Sequence, residues 1–273
     1  MQKVLSSLLI GVCANALISP SAQAQTPEVT LTRFADCGTN QAPVEVNQRF
    51  SDTFAFPGMK VQFTYSCYLI KHGDEYMVWD TGQPMTAGAV APKVTLPDQL
   101  ARLNLKPEQI KYVGISHYHG DHTGQAAAFP AATLLIGKGD WDVLTGPKNP
   151  AANPAPFERW ISGGGKVEPL ANDKDVFGDG SVIVLNTPGH TQGHHSLLVK
   201  LRSMGNVLIS GDLAHFHENY ESNGVPWFNT SRAETEASLQ RFKKLAANLK
   251  ATVILQHDQR DVGKLPAFPA AAN

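Results

Sequence analysis

The chain has 273 residues, with 23 Lys and Arg against 24 Asp and Glu and a formal net charge of -1. That balance excludes the strongly basic surface of a nucleic-acid-binding protein and the composition of a disordered acidic tail. The length and the 42% hydrophobic content are enough for a substantial core without a disulfide framework. The unusual count is ten histidines, which are either scattered surface residues or ligands, and their spacing must decide between the two.

The N-terminus has the pattern of a secretory signal peptide. Lys3 precedes an apolar run over residues 4–18, and Ala22-Gln23-Ala24 supplies a small-x-small cleavage pattern. We therefore expect a leader over residues 1–24, a periplasmic or secreted protein, and one domain over residues 25–273; an uncleaved anchor is the alternative. The apolar run is shorter than the roughly 20 residues of a spanning helix, and no later run is long enough, so we predict no membrane span.

Two cysteines, Cys37 and Cys67, follow the leader. An even pair in an oxidising compartment favours a disulfide, which would contribute about 3 kcal/mol. Cys67 also lies in an apolar strand pattern, so a buried free thiol is the alternative. The sequence leaves both open.

Beyond the leader, short apolar runs alternate with Gly and Pro turns. Runs over residues 61–70 and 76–79 predict a hairpin. Further strands are predicted at 112–115, 133–136, 182–185, 196–201, 207–209 and 252–255. Helices are predicted at 96–103, 122–129, 141–144, 157–161 and, most clearly, 231–249. The mixed order predicts one α/β domain with layered sheets covered by helices.

The loop after the predicted strand 112–115 holds four potential metal ligands. Residues two apart in an extended segment project to the same side, so His117 and His119 can face one ion. Gly120 lets the chain turn and bring Asp121 and His122 toward a second position. Imidazole nitrogen and carboxylate oxygen are ligand types that zinc accepts. This spacing favours a metal site over an ordinary polar loop.

Three later strands also end near a candidate ligand, namely His190, Asp212 and His257. Taken singly, a His or Asp after a strand is more often a helix cap or a surface residue. Together with the first loop, these residues make seven candidate ligands, enough for two metal ions that share one carboxylate.

The ligand pattern resembles the metallo-β-lactamase superfamily, whose His-x-His-x-Asp-His motif stands here as residues 117–122. The resemblance runs from Trp79-Asp80-Thr81-Gly82 to Gln256-His257-Asp258 and implies a four-layer αβ/βα sandwich. It implies two divalent ions, with zinc expected, although the ligand set also accepts iron, manganese or cobalt. One ion would be held by His117, His119 and His190, the other by Asp121, His122 and His257, with Asp212 bridging them.

The resemblance also assigns supporting roles around the ions. Asp80 is expected to brace the metal-binding loop by hydrogen bonding, as ligand residues require. His194 could brace it likewise or could be an ordinary buried imidazole.

Within the superfamily, the pattern is most similar to the N-acyl homoserine lactonases. This implies that a hydroxide shared by the two ions opens a small-molecule lactone, with Asp121 as a proton carrier. Whether the protein forms a homodimer is left undecided by the sequence. Those lactonases often carry Tyr three residues after the bridging Asp, whereas this chain has His215. An imidazole N–H can donate the same bond to a substrate carbonyl. The alternatives are that His215 is a solvated loop residue or that His217 takes its role.

The segment after Asp212 also carries four aromatic residues, Phe216, Tyr220, Trp227 and Phe228. They could form an apolar wall for an acyl chain or simply pack a long loop.

Three other functions compete with the lactonase. A β-lactamase fits less well because those patterns usually lack the bridging Asp. A nucleic-acid phosphodiesterase is disfavoured by secretion and by the lack of basic excess. A non-catalytic metal-binding or signal-binding protein is the alternative of another class, and the complete ligand set favours catalysis over it.

Overall fold

The structure is a computed structural model that describes residues 27–47 and 49–273. The predicted leader and its cleavage site lie outside the described residues. The strands are β1 (Val29–Arg33), β2 (Val44–Glu45), β3 (Lys60–Val61), β4 (Tyr68–His72), β5 (Glu75–Trp79), β6 (Ile110–Ile115), β7 (Thr133–Gly137), β8 (Val167–Leu170), β9 (Lys174–Asp175), β10 (Val182–Asn186), β11 (His195–Leu201), β12 (Gly205–Ile209) and β13 (Thr252–Ile254). The helices are α1 (Leu96–Ala101), α2 (Gly120–Thr123), α3 (Lys138–Thr145), α4 (Glu158–Ile161), α5 (His217–Ser222) and α6 (Arg232–Leu249).

These strands form two mixed sheets and one short pair. The first sheet has the order β1-β4-β5-β6-β7-β8, the second has the order β13-β12-β11-β10-β9, and β2 pairs with β3. In the first sheet, β1, β4 and β5 are antiparallel neighbours, and β5 through β8 are parallel. In the second sheet, β13 is parallel to β12 and the other pairs are antiparallel.

Both sheets are buried on two faces. Tyr68 and Ile70 of β4 enter a core shared with the second sheet, whereas Leu69 faces a core shared with α1, α3 and α4. Leu197 of β11 enters the shared core, whereas Leu198 packs in the core beneath α6. Because successive side chains of a strand point to opposite faces, the sheets pack face to face with helices outside them. The predicted four-layer sandwich is confirmed.

Helix α6 shows how the sequence specifies a local element. The Ser231 side chain accepts a hydrogen bond from the Glu234 N–H at 3.3 Å and so caps the first turn. Leu239, Phe242 and Ala246 recur at helical spacing and are buried against the second sheet. Among the described residues, no helix combines the length and the apolarity needed to cross a membrane.

Two predicted elements differ from the structure. The strand predicted over residues 61–70 is interrupted, because the middle of this run bonds to the segment after β13: the Thr64 N–H donates to the His257 carbonyl at 3.0 Å. The helix predicted over residues 122–129 stops at Thr123, since the next two backbone N–H groups donate to Gly82 and Thr81. The hairpin of β4 and β5 is confirmed.

Cys37 and Cys67 form a disulfide, with their Cα atoms 5.9 Å apart. Both residues are buried in the core of the first sheet. The disulfide alternative therefore holds in the structure, and the free-thiol alternative does not.

Candidate metal centre

One edge of the sandwich collects all seven candidate ligands. β12 and β13 run parallel, and β10 runs in the same direction because both β10 and β12 are antiparallel to β11. Their carboxyl ends lead to His190, Asp212 and His257, while β6 of the first sheet leads to the other four. Loops at the ends of rigid strands are well suited to hold ligands.

Three imidazoles form the first group. His117 Nε2 lies 2.9 Å from His119 Nδ1 and 3.2 Å from His190 Nε2, and the last two nitrogens are 3.0 Å apart. Asp212 Oδ2 completes the group at 3.3 Å from His190 Nε2 and 3.6 Å from His117 Nε2. A tetrahedral zinc ion with ligands at about 2.1 Å separates them by about 3.4 Å. The first group therefore fits a metal ion.

Two imidazoles and two carboxylates form the second group. His122 Nε2 and His257 Nε2 are 3.1 Å apart, and Asp121 Oδ2 lies 3.8 Å and 3.7 Å from them, respectively. Asp212 Oδ1 lies 3.1 Å from His122 Nε2 and 2.9 Å from His257 Nε2. These separations also fit four ligands around one ion.

Asp212 lies between the groups and directs one carboxylate oxygen to each. Although two imidazole nitrogens lie close to its buried Oδ1, neither contact has the geometry of a hydrogen bond, and this oxygen has no other hydrogen-bond partner among the described residues. Such an atom is costly unless a cation or a donor meets it. Burial would raise the pKa of Asp212, but His257 and His122 hold it well below its ordinary value. The arrangement matches the predicted bridging position.

Burial and the neighbouring carboxylates shift the pKa values of the imidazoles in opposite directions. Burial alone would lower the pKa of His122, but Asp212 and Asp121 raise it well above its ordinary value. Burial lowers the pKa of His117 well below its ordinary value, which leaves that ring neutral. The raised pKa favours a proton on the His122 ring, and an ion that binds at its Nε2 must displace that proton.

Hydrogen bonds on the outer ring nitrogens orient three of the imidazoles. His122 Nδ1 lies 2.8 Å from Asp80 Oδ2, His190 Nδ1 2.8 Å from Asn229 Oδ1, and His257 Nδ1 2.7 Å from the Thr64 carbonyl. When each Nδ1–H donates to its oxygen, the Nε2 lone pair points into the cluster, as metal coordination requires. The Asn229 contact has no counterpart in the sequence analysis.

Asp80 has the bracing role that the resemblance implied. It is fully buried, and its Oδ1 accepts a hydrogen bond from the Ser116 N–H at 2.7 Å. Its Oδ2 contacts His122 and accepts from Gln256 Nε2 at 2.6 Å. One carboxylate therefore connects the first ligand loop to the residue before His257.

His194 also supports the cluster. Its Nε2 accepts a hydrogen bond from the Asp212 N–H at 2.9 Å, and its Nδ1 lies 2.9 Å from the Thr187 carbonyl. Burial lowers its pKa well below the ordinary value, which keeps the ring neutral and able to accept. The structure therefore supports a bracing role for His194 over that of an ordinary buried imidazole.

His215 lies inside the site, so the solvated-loop alternative is wrong. The residue is 2% exposed, its Nε2 is 3.0 Å from Asp212 Oδ2, and its ring stacks on His257 with centroids 5.4 Å apart. Its buried Nδ1 has no hydrogen-bond partner among the described residues. His217 instead pairs with Asp261 at 2.7 Å and does not join the metal groups.

The four aromatic residues after Asp212 divide into two pairs. Phe216 is fully buried, and Tyr220 packs on α6, so this pair supports the loop. Phe228 is half-buried with its ring 5.7 Å from that of His190, and neighbouring Trp227 is 74% exposed. Only the second pair is placed beside the cluster at the surface.

One functional candidate escaped the sequence analysis. Asp140, on α3, is fully buried and accepts three hydrogen bonds from the loops that carry His117, His119 and His190. Burial raises its pKa to about 6. No local pattern marks this residue, because its partners lie 22 to 53 positions away in the sequence.

The family model described as the metallo-β-lactamase superfamily matches residues 62–257, which include all seven candidate ligands. The chain belongs to the metallo-β-lactamase superfamily. The recognition made from the sequence motifs is thereby confirmed.

Two N-acyl homoserine lactonases resemble the chain in sequence. It is 31% identical over 176 residues to the N-acyl homoserine lactonase AttM of Rhizobium radiobacter, a match over 59% of this chain and 63% of the relative. That match spans less than two thirds of AttM. An N-acyl homoserine lactonase from a Bacillus species is 29% identical over 234 residues, which cover 78% of this chain and 88% of the relative.

Solved structures of two lactone-hydrolysing proteins share the fold. An N-acyl homoserine lactone hydrolase with the product N-hexanoyl-L-homoserine at its catalytic metal centre aligns with a TM-score of 0.74 and 22% identity, over 90% of this chain and all of that one. The dizinc quorum-quenching lactonase AidC aligns with a TM-score of 0.64 and 20% identity, over 91% of each chain. These likenesses establish the fold.

Proposed function

We propose that this hydrolase opens the lactone ring of N-acyl homoserine lactones with two divalent metal ions, zinc being the expected ion. The observation that carries the proposal is the placement of Asp212, whose two oxygens meet two separate imidazole groups. The named sequence relatives are N-acyl homoserine lactonases, which supports this substrate class over others of the superfamily.

The surroundings of the cluster suit a small neutral substrate with an apolar tail. The near-neutral chain provides no general attraction for a polyanion. The Phe228 ring lies 5.8 Å from that of His215, and Trp227 is exposed next to it. An acyl chain on these rings would remove apolar surface from water and orient the lactone ring toward the cluster.

The proposed chemistry assigns roles to three side chains. Divalent ions held by the two groups would lower the pKa of a bound water and polarise the ester carbonyl. Asp212 holds the two groups in register. His215 donates an N–H to the carbonyl oxygen, where negative charge develops as the attacking water oxygen bonds to the carbonyl carbon. Asp121, whose side chain is 21% exposed, takes the proton that the attacking water loses and passes it to the ring oxygen as the ester C–O bond breaks.

We further propose that residues 1–24 are removed on export and that residues 25–273 act as one hydrolase domain in the periplasm or outside the cell. The disulfide between Cys37 and Cys67 suits an oxidising compartment. N-terminal sequencing of the exported protein tests this, and retention of Met1 through Ala24 would contradict it.

The decisive experiment compares a homoserine lactone with a penicillin. The zinc-loaded protein is expected to open hexanoyl and decanoyl homoserine lactones, to lose this activity with chelator, and to regain it on addition of zinc. Asp175→Asn is a matched control, because Asp175 accepts backbone hydrogen bonds from Gly178 and Gly180 and belongs to none of the metal groups. A fully loaded protein that hydrolyses penicillin but no lactone would overturn the proposal in favour of a β-lactamase. Binding of metal without turnover of either substrate would instead favour a non-catalytic protein.

A further inference from the structure

The buried carboxylate of Asp140 makes all its hydrogen bonds to two loops of the metal centre. Its Oδ2 accepts from the Tyr118 N–H at 3.0 Å and from Thr191 Oγ1 at 2.8 Å. Its Oδ1 accepts from the Gly193 N–H at 2.7 Å. No Lys, Arg or His forms an ion pair with it in the part of the chain that the structure describes. A buried anion held only by such donors ties them together strongly, because losing any of them leaves it poorly solvated.

The donors immediately adjoin the first metal group. Tyr118 lies between His117 and His119, and Thr191 follows His190. One carboxylate therefore binds the backbone between His117 and His119 and the side chain next to His190. The first two imidazoles follow a strand of the first sheet, and the third follows a strand of the second.

The start of α3 lies in direct backbone contact with the second of these loops. A Cβ atom on Gly137 would lie 1.8 Å from the Gly193 carbonyl oxygen, and one on Gly193 would lie 2.4 Å from the Asp140 nitrogen. No side chain fits between the helix and the loop. The carboxylate therefore cannot shift without moving the segment that follows His190.

The second metal group is braced by different carboxylates. Asp80 contacts His122 and Gln256, and Asp261 accepts from the Leu255 N–H at 2.8 Å, two residues before His257. Asp140 contacts none of these residues. Asp140 thus supports the first group alone, whereas Asp80 holds the second group and also reaches the Ser116 N–H beside His117.

We propose that Asp140 is a positioning residue for the first group: it holds His117, His119 and His190 in register and so sets the affinity for one of the two ions without touching it. The inference rests on the metal centre of the proposed function. Replacing a hydrogen-bonding partner behind a metal ligand typically costs 10- to 100-fold in metal affinity.

The test is metal retention by Asp140→Asn, in which an amide NH₂ replaces one acceptor and faces a donor. Under graded chelator, we expect one of two zinc ions to be lost at about 10- to 100-fold lower chelator activity, with the other retained as in the wild type. Adding His119→Ala, which removes a ligand of the same group, should cause little further loss. Adding Asp121→Ala should release the second ion as well. Asp261→Asn is the control for loss of a buried carboxylate, and it should spare the ion of the first group.

Retention of both ions at wild-type affinity, or equal weakening of both, would overturn the proposal. If Asp140→Asn does not fold, Thr191→Val removes one donor from the same carboxylate while keeping the shape of the side chain. Weaker retention of one ion in Thr191→Val, restored in Thr191→Ser, supports the proposal, and wild-type retention in Thr191→Val contradicts it. A protein that holds two ions but opens no lactone would refute the proposed function and leave this inference intact.

Discussion

Replacing Asp212 by Asn is the sharpest perturbation of the centre, because the shape stays and the charge goes. Asp212 supplies one ligand atom to each group, at 2.9 Å from His257 Nε2 on one side and 3.3 Å from His190 Nε2 on the other. The amide keeps one oxygen and turns an NH₂ group, which cannot bind a cation, toward the other group. Since even a residue behind a ligand is worth 10- to 100-fold in affinity, loss of the shared ligand should cost one ion at least about 100-fold, or about 2.7 kcal/mol.

The assay counts zinc per chain after dialysis against graded chelator and measures lactone opening on the same samples. We expect Asp212→Asn to retain at most one ion per chain and to lose lactone opening by about 100-fold or more. Asp175→Asn should match the wild type in both measurements. Two ions per chain held with wild-type affinity by Asp212→Asn would refute the bridging position.

Three further predictions concern the surroundings of the ligands. His215→Ala should keep two ions per chain while kcat/KM for lactones falls about 10- to 100-fold, and an unchanged rate would limit His215 to packing. Phe228→Ala should raise KM for a decanoyl lactone about 10-fold and change that for a hexanoyl lactone less, because the longer chain buries more of the ring; equal effects on both would argue against an acyl contact. The hydrogen bond to Asp261 raises the pKa of His217 above its ordinary 6.5, so its stabilisation is full below that pH and is lost as pH rises through the higher folded value. From about pH 6 to about pH 9, the free energy of unfolding in urea should therefore fall by about 0.2–1 kcal/mol more in the wild type than in His217→Gln. Parallel pH profiles of the two proteins would contradict this pairing.

Strong local patterns were the predictable part of the fold. The apolar runs that became β6, β7 and β10 through β13 lie within two residues of the predicted bounds, and Ser231 marks the start of α6. β8 was missed because Pro169 disrupts the strand pattern of Val167–Leu170. The run over residues 61–70 was misread because its middle bonds to a segment almost 200 positions away, and no local pattern reports such a partner.

In the metal centre, too, the sequence predicts what a local pattern marks and misses what only the tertiary fold brings together. The candidate ligands follow strands and include a dense motif, so the sequence was enough to nominate them. Their supports were harder to foresee: Asn229 and Asp140 meet the ligand loops only through the tertiary fold. The burial of His215 beneath Phe50 and Phe228 was also beyond local spacing, because Phe50 lies more than 150 positions away in the sequence.

Each metal group takes ligands from loops of both sheets, His117 with His190 in one and His122 with His257 in the other. A bound ion would therefore act as a noncovalent crosslink between the halves of the sandwich. By thermodynamic linkage, an ion at 100 times its Kd adds about 2.7 kcal/mol to the cost of any opening that releases it. Amide exchange that requires the sheets to separate should slow by about 100-fold on metal loading. Exchange through fraying at the ends of α6 should keep its rate. The ions would thus make two layers of strands into one cooperative unit.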